Sequence, residues 1–171
     1  MKIYDCFMYF DEEVVVDVRL HTLNEFVDYF VIVESRFTHK GESRELKFDH
    51  KKFEKFKDKI IYIIDEEAYP QTQEIQTENS EDEKSIKLIF NAAYRENGQR
   101  NLLLKGLKEA NDEDLILISD VDEIPKLNNL NFKNINEKII LFKQDMFYYK
   151  FNLRSTNLLW PGTRACKKKK T

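Results

Sequence analysis

Apolar residues in this chain gather into short blocks separated by longer polar stretches. Residues 2–10 (KIYDCFMYF), 30–33 within FVDYFVIVE, 60–64 (IIYII) and 115–118 (LILI) are β-branched or aromatic runs of strand length. Between the first two, Glu12 and Glu13 open a helix with Val15, Val16, Leu20 and Leu23 near helical spacing, ending at Asn24. A longer helix is predicted over 82–110, with Ile86, Ile89, Phe90, Ala93 and Tyr94 on its buried face. Gly98 loosens its middle, and Leu102, Leu103, Leu104 and Leu107 continue the buried side. Asp49 reads as the cap of a short helix carrying Phe53 and Phe56, preceded by a loop with a short strand at 45–48. Two more strands are expected at 139–142 and 147–153.

Strands alternating with helices predict an α/β fold with its ligand at the carboxyl ends of the strands. Asp5, Glu34 and the pair Asp120/Asp122 would then face one crevice. The stretch 114–125 (DLILISDVDEIP) draws most notice: a buried apolar run stops at Ser119 and is followed by Asp120, Asp122 and Glu123. Extended backbone puts Asp120 and Asp122 on one side, with Val121 pointing away. Two like charges so close need a cation, hydrogen-bond donors or bulk water. At the end of a buried strand a divalent metal answers that need; a solvated acidic loop is the simpler alternative.

Composition narrows the picture. A chain of 171 residues, 42% hydrophobic and 35% charged, is one domain of ordinary size, 1–171. Its net charge of −3 argues against nucleic acid or anionic membrane as the main partner. Cys6 and Cys166 form neither a zinc spacing nor a disulfide framework, and Cys6 reads as a free core thiol. With no stretch of membrane-spanning length and no signal peptide, the expected location is cytoplasmic. Residues 65–83 hold eight acidic side chains and no Lys or Arg, which predicts an acidic loop or lid. The basic tail 166–171 suggests peripheral membrane contact, or a reading frame truncated at a run of adenines.

Several blocks resemble one family. IYDCF (3–7), DYFVIVES (28–35), KIIYI (59–63), REN-x-QRN (95–101), LISDVDEIP (117–125), FYYKFNLR (147–154) and GTRA (162–165) arrive in the order found in glycosyltransferase family 17. The resemblance implies a GT-A, Rossmann-like sheet binding a UDP-sugar with Mn²⁺ or Mg²⁺, and inverting transfer of N-acetylglucosamine or a related sugar to a glycan hydroxyl. It implies Asp122 as the metal ligand and Asp120 on the ribose or a metal-bound water. Arg100 and Asn101 would reach the donor's phosphate or ribose; the alternative for Arg100 is a surface pair with Glu96. Asp5 and Glu34 would contact the nucleoside, and Trp160 would stack on an acceptor sugar or lie buried. Glu123 and Asp145 are the carboxylates left to serve as general base. Family members continue past the GTRA block, so a truncated, inactive nucleotide-sugar-binding module is the runner-up. A phosphatase of the haloacid dehalogenase type is disfavoured, because there the D-x-D follows the first strand.

Overall fold

A computed structural model describes residues 1–69, 73–128, 130–132, 135, 137–149 and 152–170. Parts of the expected acidic loop (70–72) and of the expected strand 147–153 (150 and 151), and the last residue of the tail, lie outside the described residues. Six strands form one sheet in the order β3-β2-β1-β4-β6-β5: β1 Ile3–Tyr9, β2 Tyr29–Ser35, β3 Ile60–Asp65, β4 Leu115–Ile118, β5 Ile140–Tyr148 and β6 Leu153–Lys167. The first four are parallel, and β6 pairs antiparallel with both β4 and β5. Two helices accompany them among the described residues, α1 Glu13–Leu23 and α2 Glu81–Leu102.

The runs of β1, β2 and β4 become strands because they are buried on both faces, while that of β3 forms the half-buried edge. From β1, Ile3, Phe7 and Tyr9 join a core under α1 with Val16, Leu20, Leu23, Phe30, Ile32 and Leu117. Tyr4 and Cys6 point the other way, toward Val31, Val33, Leu103, Leu107 and Ile116. Burial pushes the free Cys6 thiol well above its ordinary pKa, so it is an unreactive core group. The chain leaves β1 toward β2 and β3, then returns through α2 to place β4 on the other side of β1. The reversal of strand order therefore falls between β1 and β4, and a crevice opens at their carboxyl ends.

Three expectations need correction. No strand forms at 45–48, because the amides of Lys47 and Phe48 are taken by the Glu34 carboxylate at 2.6 and 3.1 Å. Strand β5 runs from the strand expected at 139–142 into the first two residues of the one expected at 147–153, whose last residue, Leu153, instead opens the long strand β6. The polar composition of β6 hides it, and Pro161 lies beside a register shift, where a missing N–H is tolerated.

The third correction concerns α2, which is inverted with respect to its sequence pattern. Ile86, Ile89, Phe90 and Tyr94 are exposed, whereas Asn91, Arg95 and Gln99 are buried. On its buried side α2 meets loop backbone at Gln73 and His39, which polar side chains can satisfy. Asn91 exchanges hydrogen bonds with the main chain of Gln73 at 3.0 and 2.8 Å, and Arg95 donates to the carbonyl of His39 at 3.0 Å. Gly98 does not loosen the helix; a Cβ there would lie 2.3 Å from the Tyr69 ring, so glycine permits that contact. The helix starts with a full capping box between Ser80 and Glu83.

Candidate functional site

The Asp120–Asp122 loop is held from below by a residue the pattern did not flag. Arg19 on α1 is fully buried, and its guanidinium meets both oxygens of Asp5, at 2.8 Å (Nε to Oδ2) and 2.7 Å (Nη2 to Oδ1). The remaining donors run into the loop: Nη2 to Ser119 Oγ at 2.5 Å, and Nη1 to the carbonyls of Asp120, Val121 and Glu123 at 3.0, 3.0 and 3.1 Å. A buried charge of each sign cancels its partner's desolvation, and the surplus donors fix the loop backbone. One signal could have found Arg19. It falls on the buried side of α1 with Val16, Leu20 and Leu23, and Asp5 interrupts an apolar strand facing that helix.

The loop is closed from above by Glu123. Its Oε2 accepts from the Asp120 amide at 3.0 Å, its Oε1 from the Trp160 indole at 2.5 Å, and its carbonyl from the Thr163 hydroxyl at 2.7 Å. Thr163 also donates its amide to Gln144 Oε1 at 2.9 Å. Gly162 makes this possible, since a Cβ there would lie 1.9 Å from Gln144 Oε1 and 3.2 Å from Glu123 Cδ. The GTRA block thus ties β6 to the carboxylate loop.

Two expected site residues do other work. Asp5 sits in mid-strand with both oxygens on Arg19 and no exposure, so a nucleoside cannot reach it in this structure. Glu34 is equally buried. It holds the amides of residues 47 and 48, accepts from Tyr62 at 2.7 Å and pairs with Arg44 at 3.0 Å. Both carboxylates face inward because the sheet is covered on both sides.

The remaining expected residues sort by exposure. Arg100 donates to Asp120 Oδ1 at 3.0 Å and to Glu96 Oε1 at 2.8 Å, so it makes the helix pair and also reaches the loop. Asn101 is exposed and lines none of the cavities described here; Asn97, one turn earlier, stands in its place. Asp122 is exposed, and no described donor holds its carboxylate. Asp145 on β5 bonds Arg154 at 2.7 Å, and its second oxygen has no described partner.

Three adjoining cavities share Asp120. One of about 670 Å³ is walled by Tyr9, Phe10, Phe37, His39 and Gln99. Burial first, then the nearby Glu34, pushes the Tyr9 hydroxyl up to about 12, so it stays a neutral donor. A second cavity, about 350 Å³, collects Arg100, Arg164, Asn97 and Glu123 with Asp120. The third, about 220 Å³, joins Asp120 and Asp122 to Gln144, Asp145, Phe147 and Trp160. Arg164 was missed by sequence reasoning, although it lies in a quoted block and is a charge on a strand next to β4. No set of three or more His, Cys, Asp or Glu side chains stands ready for a metal among the described residues. The donors at hand are hard oxygens, so an ion here would be held by one or two carboxylates with ligand phosphate and water completing its shell.

The basic tail folds back on the domain. Lys167 and Lys169 pair with Glu113, and Lys168 Nζ donates to the carbonyl of Ala110 at 2.7 Å. No helix among the described residues is long and apolar enough to cross a membrane.

Comparison with known proteins comes to one family. The model for glycosyltransferase family 17 matches residues 1–170. Curated relatives named β-1,4-mannosyl-glycoprotein 4-β-N-acetylglucosaminyltransferase, from Homo sapiens and Rattus norvegicus, are each 30% identical over 121 residues. These matches cover 68% of this chain and 20% of each relative, so the chain spans about a fifth of their length. No solved structure matches the chain.

Proposed function

Since this chain belongs to glycosyltransferase family 17, we propose that its crevice binds a UDP-sugar with a divalent cation and passes the sugar to a glycan hydroxyl with inversion. The observation that carries this reading is Asp122: an exposed carboxylate without a donor among the described residues, beside the Arg100–Asp120 pair at the switch point of the sheet. The relatives' names point to N-acetylglucosamine as the sugar transferred. A GT-A description fits the parallel β3-β2-β1-β4 order.

Each cavity then has a part. The large aromatic cavity by Tyr9 and Phe37 suits the nucleoside. Arg100 and Arg164 in the second cavity offer forked donors to the diphosphate. Asp122, with Asp120 close by, would hold Mn²⁺ or Mg²⁺. When bound, that ion neutralises the charge that builds on the departing diphosphate. Transfer forms a bond between the acceptor oxygen and the anomeric carbon. It breaks the bond to the diphosphate, which leaves with the electron pair. The acceptor's proton needs a base, and Glu123 is poorly suited because both its oxygens already accept from Trp160 and Asp120. Asp145, with one oxygen uncommitted among the described residues and facing the same cavity as Asp122, takes that place.

The occupied Glu123 also favours a second reading, a module that binds the nucleotide sugar without transferring it. Calorimetry tests the shared premise: UDP should bind in the presence of Mn²⁺ and not after Asp122→Ala. Equal binding without metal, or by the variant, would falsify the site. Release of UDP from a UDP-sugar with a glycan acceptor then separates transfer from binding alone.

A further inference from the structure

We propose that the third cavity is a saccharide subsite, with Trp160 as its stacking platform and Asp145, oriented by Arg154, as its hydroxyl-binding group. This rests on the glycosyltransferase reading and adds where, and by which side chains, a pyranose ring is held. The geometry is specific. Trp160 and Phe147 are 40% and 45% exposed, yet both line a cavity of about 220 Å³, close to the size of one sugar ring. A large exposed aromatic is ordinarily free to turn. Here the Trp160 indole N–H is held by Glu123, so the polar edge of the ring faces the chain while the ring lines the cavity.

A pyranose has an apolar C–H face and a rim of hydroxyls, each both donor and acceptor. The aromatic wall meets the first requirement. The second is met by Asp145, which lines the cavity and accepts, and whose carboxylate is oriented from outside the lining by Arg154 at 2.7 Å. Gln144 adds an amide on the same wall. Without a bound cation, nucleotide phosphate is repelled from this cavity, since its charged lining is Asp120, Asp122, Glu123 and Asp145, all of one sign. A neutral polyhydroxyl ligand is not.

The position of the cavity couples it to the donor side. Glu123, which holds Trp160, also holds the amide of Asp120 and reaches Thr163 and Arg19 through its carbonyl. A ring seated on Trp160 would press on the group that shapes the metal-side loop.

The chain has a single tryptophan, so its emission reports this cavity directly. The full chain would be titrated with N,N′-diacetylchitobiose and with methyl mannoside, without nucleotide or metal, with glycerol as the polyol control. A saturable change in Trp160 emission is expected for at least one saccharide and none for glycerol. Asp145→Ala should weaken it about fivefold or more, as loss of a hydrogen-bonded charge does. Saturation-transfer NMR with Phe147→Ala gives a second readout, with loss of transfer to the ring C–H protons expected. Unchanged saccharide affinity in both variants, or no saccharide response while UDP and Mn²⁺ still bind, overturns the subsite and leaves the donor reading standing. Saccharide binding that persists when UDP fails to bind would instead overturn the donor reading and keep the subsite.

Discussion

Arg19 and Asp5 form a forked ion pair, at 2.7 and 2.8 Å, in which neither side chain reaches solvent. The pair joins α1 to the central strand β1, and the same guanidinium holds three carbonyls of the carboxylate loop. Asp5→Ala would leave that guanidinium buried without a counter-charge, at a cost of about 3–5 kcal/mol. Denaturant unfolding measures it. Replacing both, as Asp5→Leu with Arg19→Met, should recover part of the stability, because no unpaired charge remains. Nucleotide binding should stay weak in the double variant, since the loop carbonyls have lost their donor. Recovery of binding together with stability would show that Arg19 does nothing for the loop.

Arg100 is the one cation hydrogen-bonded to the Asp120 carboxylate among the described residues. Arg100→Ala removes a charged donor from the proposed diphosphate cavity and should weaken UDP binding about tenfold or more, for a bond worth roughly 1.5–3 kcal/mol. Calorimetry at fixed salt checks this. Asn101→Ala, on the exposed side, should leave the affinity unchanged.

Gly162→Ala would drive a methyl to 1.9 Å from Gln144 Oε1. Gln144 must then release the Thr163 amide, costing about 1–3 kcal/mol of stability. Fluorescence of the lone Trp160 should shift toward that of a solvated indole as its hold on Glu123 loosens. An unshifted spectrum would show that Glu123 keeps its place without this packing.

Glu113 holds the tail through Lys167 and Lys169. Their hydrogen bonds lower its pKa from 4.5 to about 2. Because the folded value lies below the unfolded one, the contribution to stability is present above about 4.5 and is lost as pH falls through about 2. A carboxyl-carbon NMR titration should find the Glu113 midpoint in the acid range. Glu113→Gln should free the lysines at neutral pH, seen as faster exchange of the Lys168 amide, which donates to the Asp114 carbonyl.

The inversion of α2 predicts an unusual mutational pattern. Ile86→Gln and Ile89→Gln lie on the exposed side and should change stability by no more than about 0.5 kcal/mol. Asn91→Leu, which makes the helix more apolar, should destabilise by about 1–3 kcal/mol because the Gln73 amide loses its acceptor. Thermal melts of the three variants suffice; the opposite ranking would mean that α2 buries its apolar stripe in solution.

The α/β class was legible from the blocks 2–10, 30–33, 60–64 and 115–118, because a strand buried on both faces, as β1, β2 and β4 are, must be apolar almost throughout. The carboxylates after β4 were legible for a related reason: charges that close a buried strand stand out. The sequence alone also placed Arg100 one helix before them. It could not say that Asp5 and Glu34 turn inward while Asp122 stays exposed, since an acidic residue beside a strand reads alike whether a guanidinium, two amides or solvent receives it. Only the packing of α1 on β1 brought Arg19 to Asp5, across fourteen residues of chain. Only the return of β6 beside β4 brought Trp160, Thr163 and Arg164 to the carboxylate loop, from forty residues away. Pattern along the chain reports what is buried; which partner satisfies a buried or exposed charge is decided by contacts that the chain makes only once it has folded.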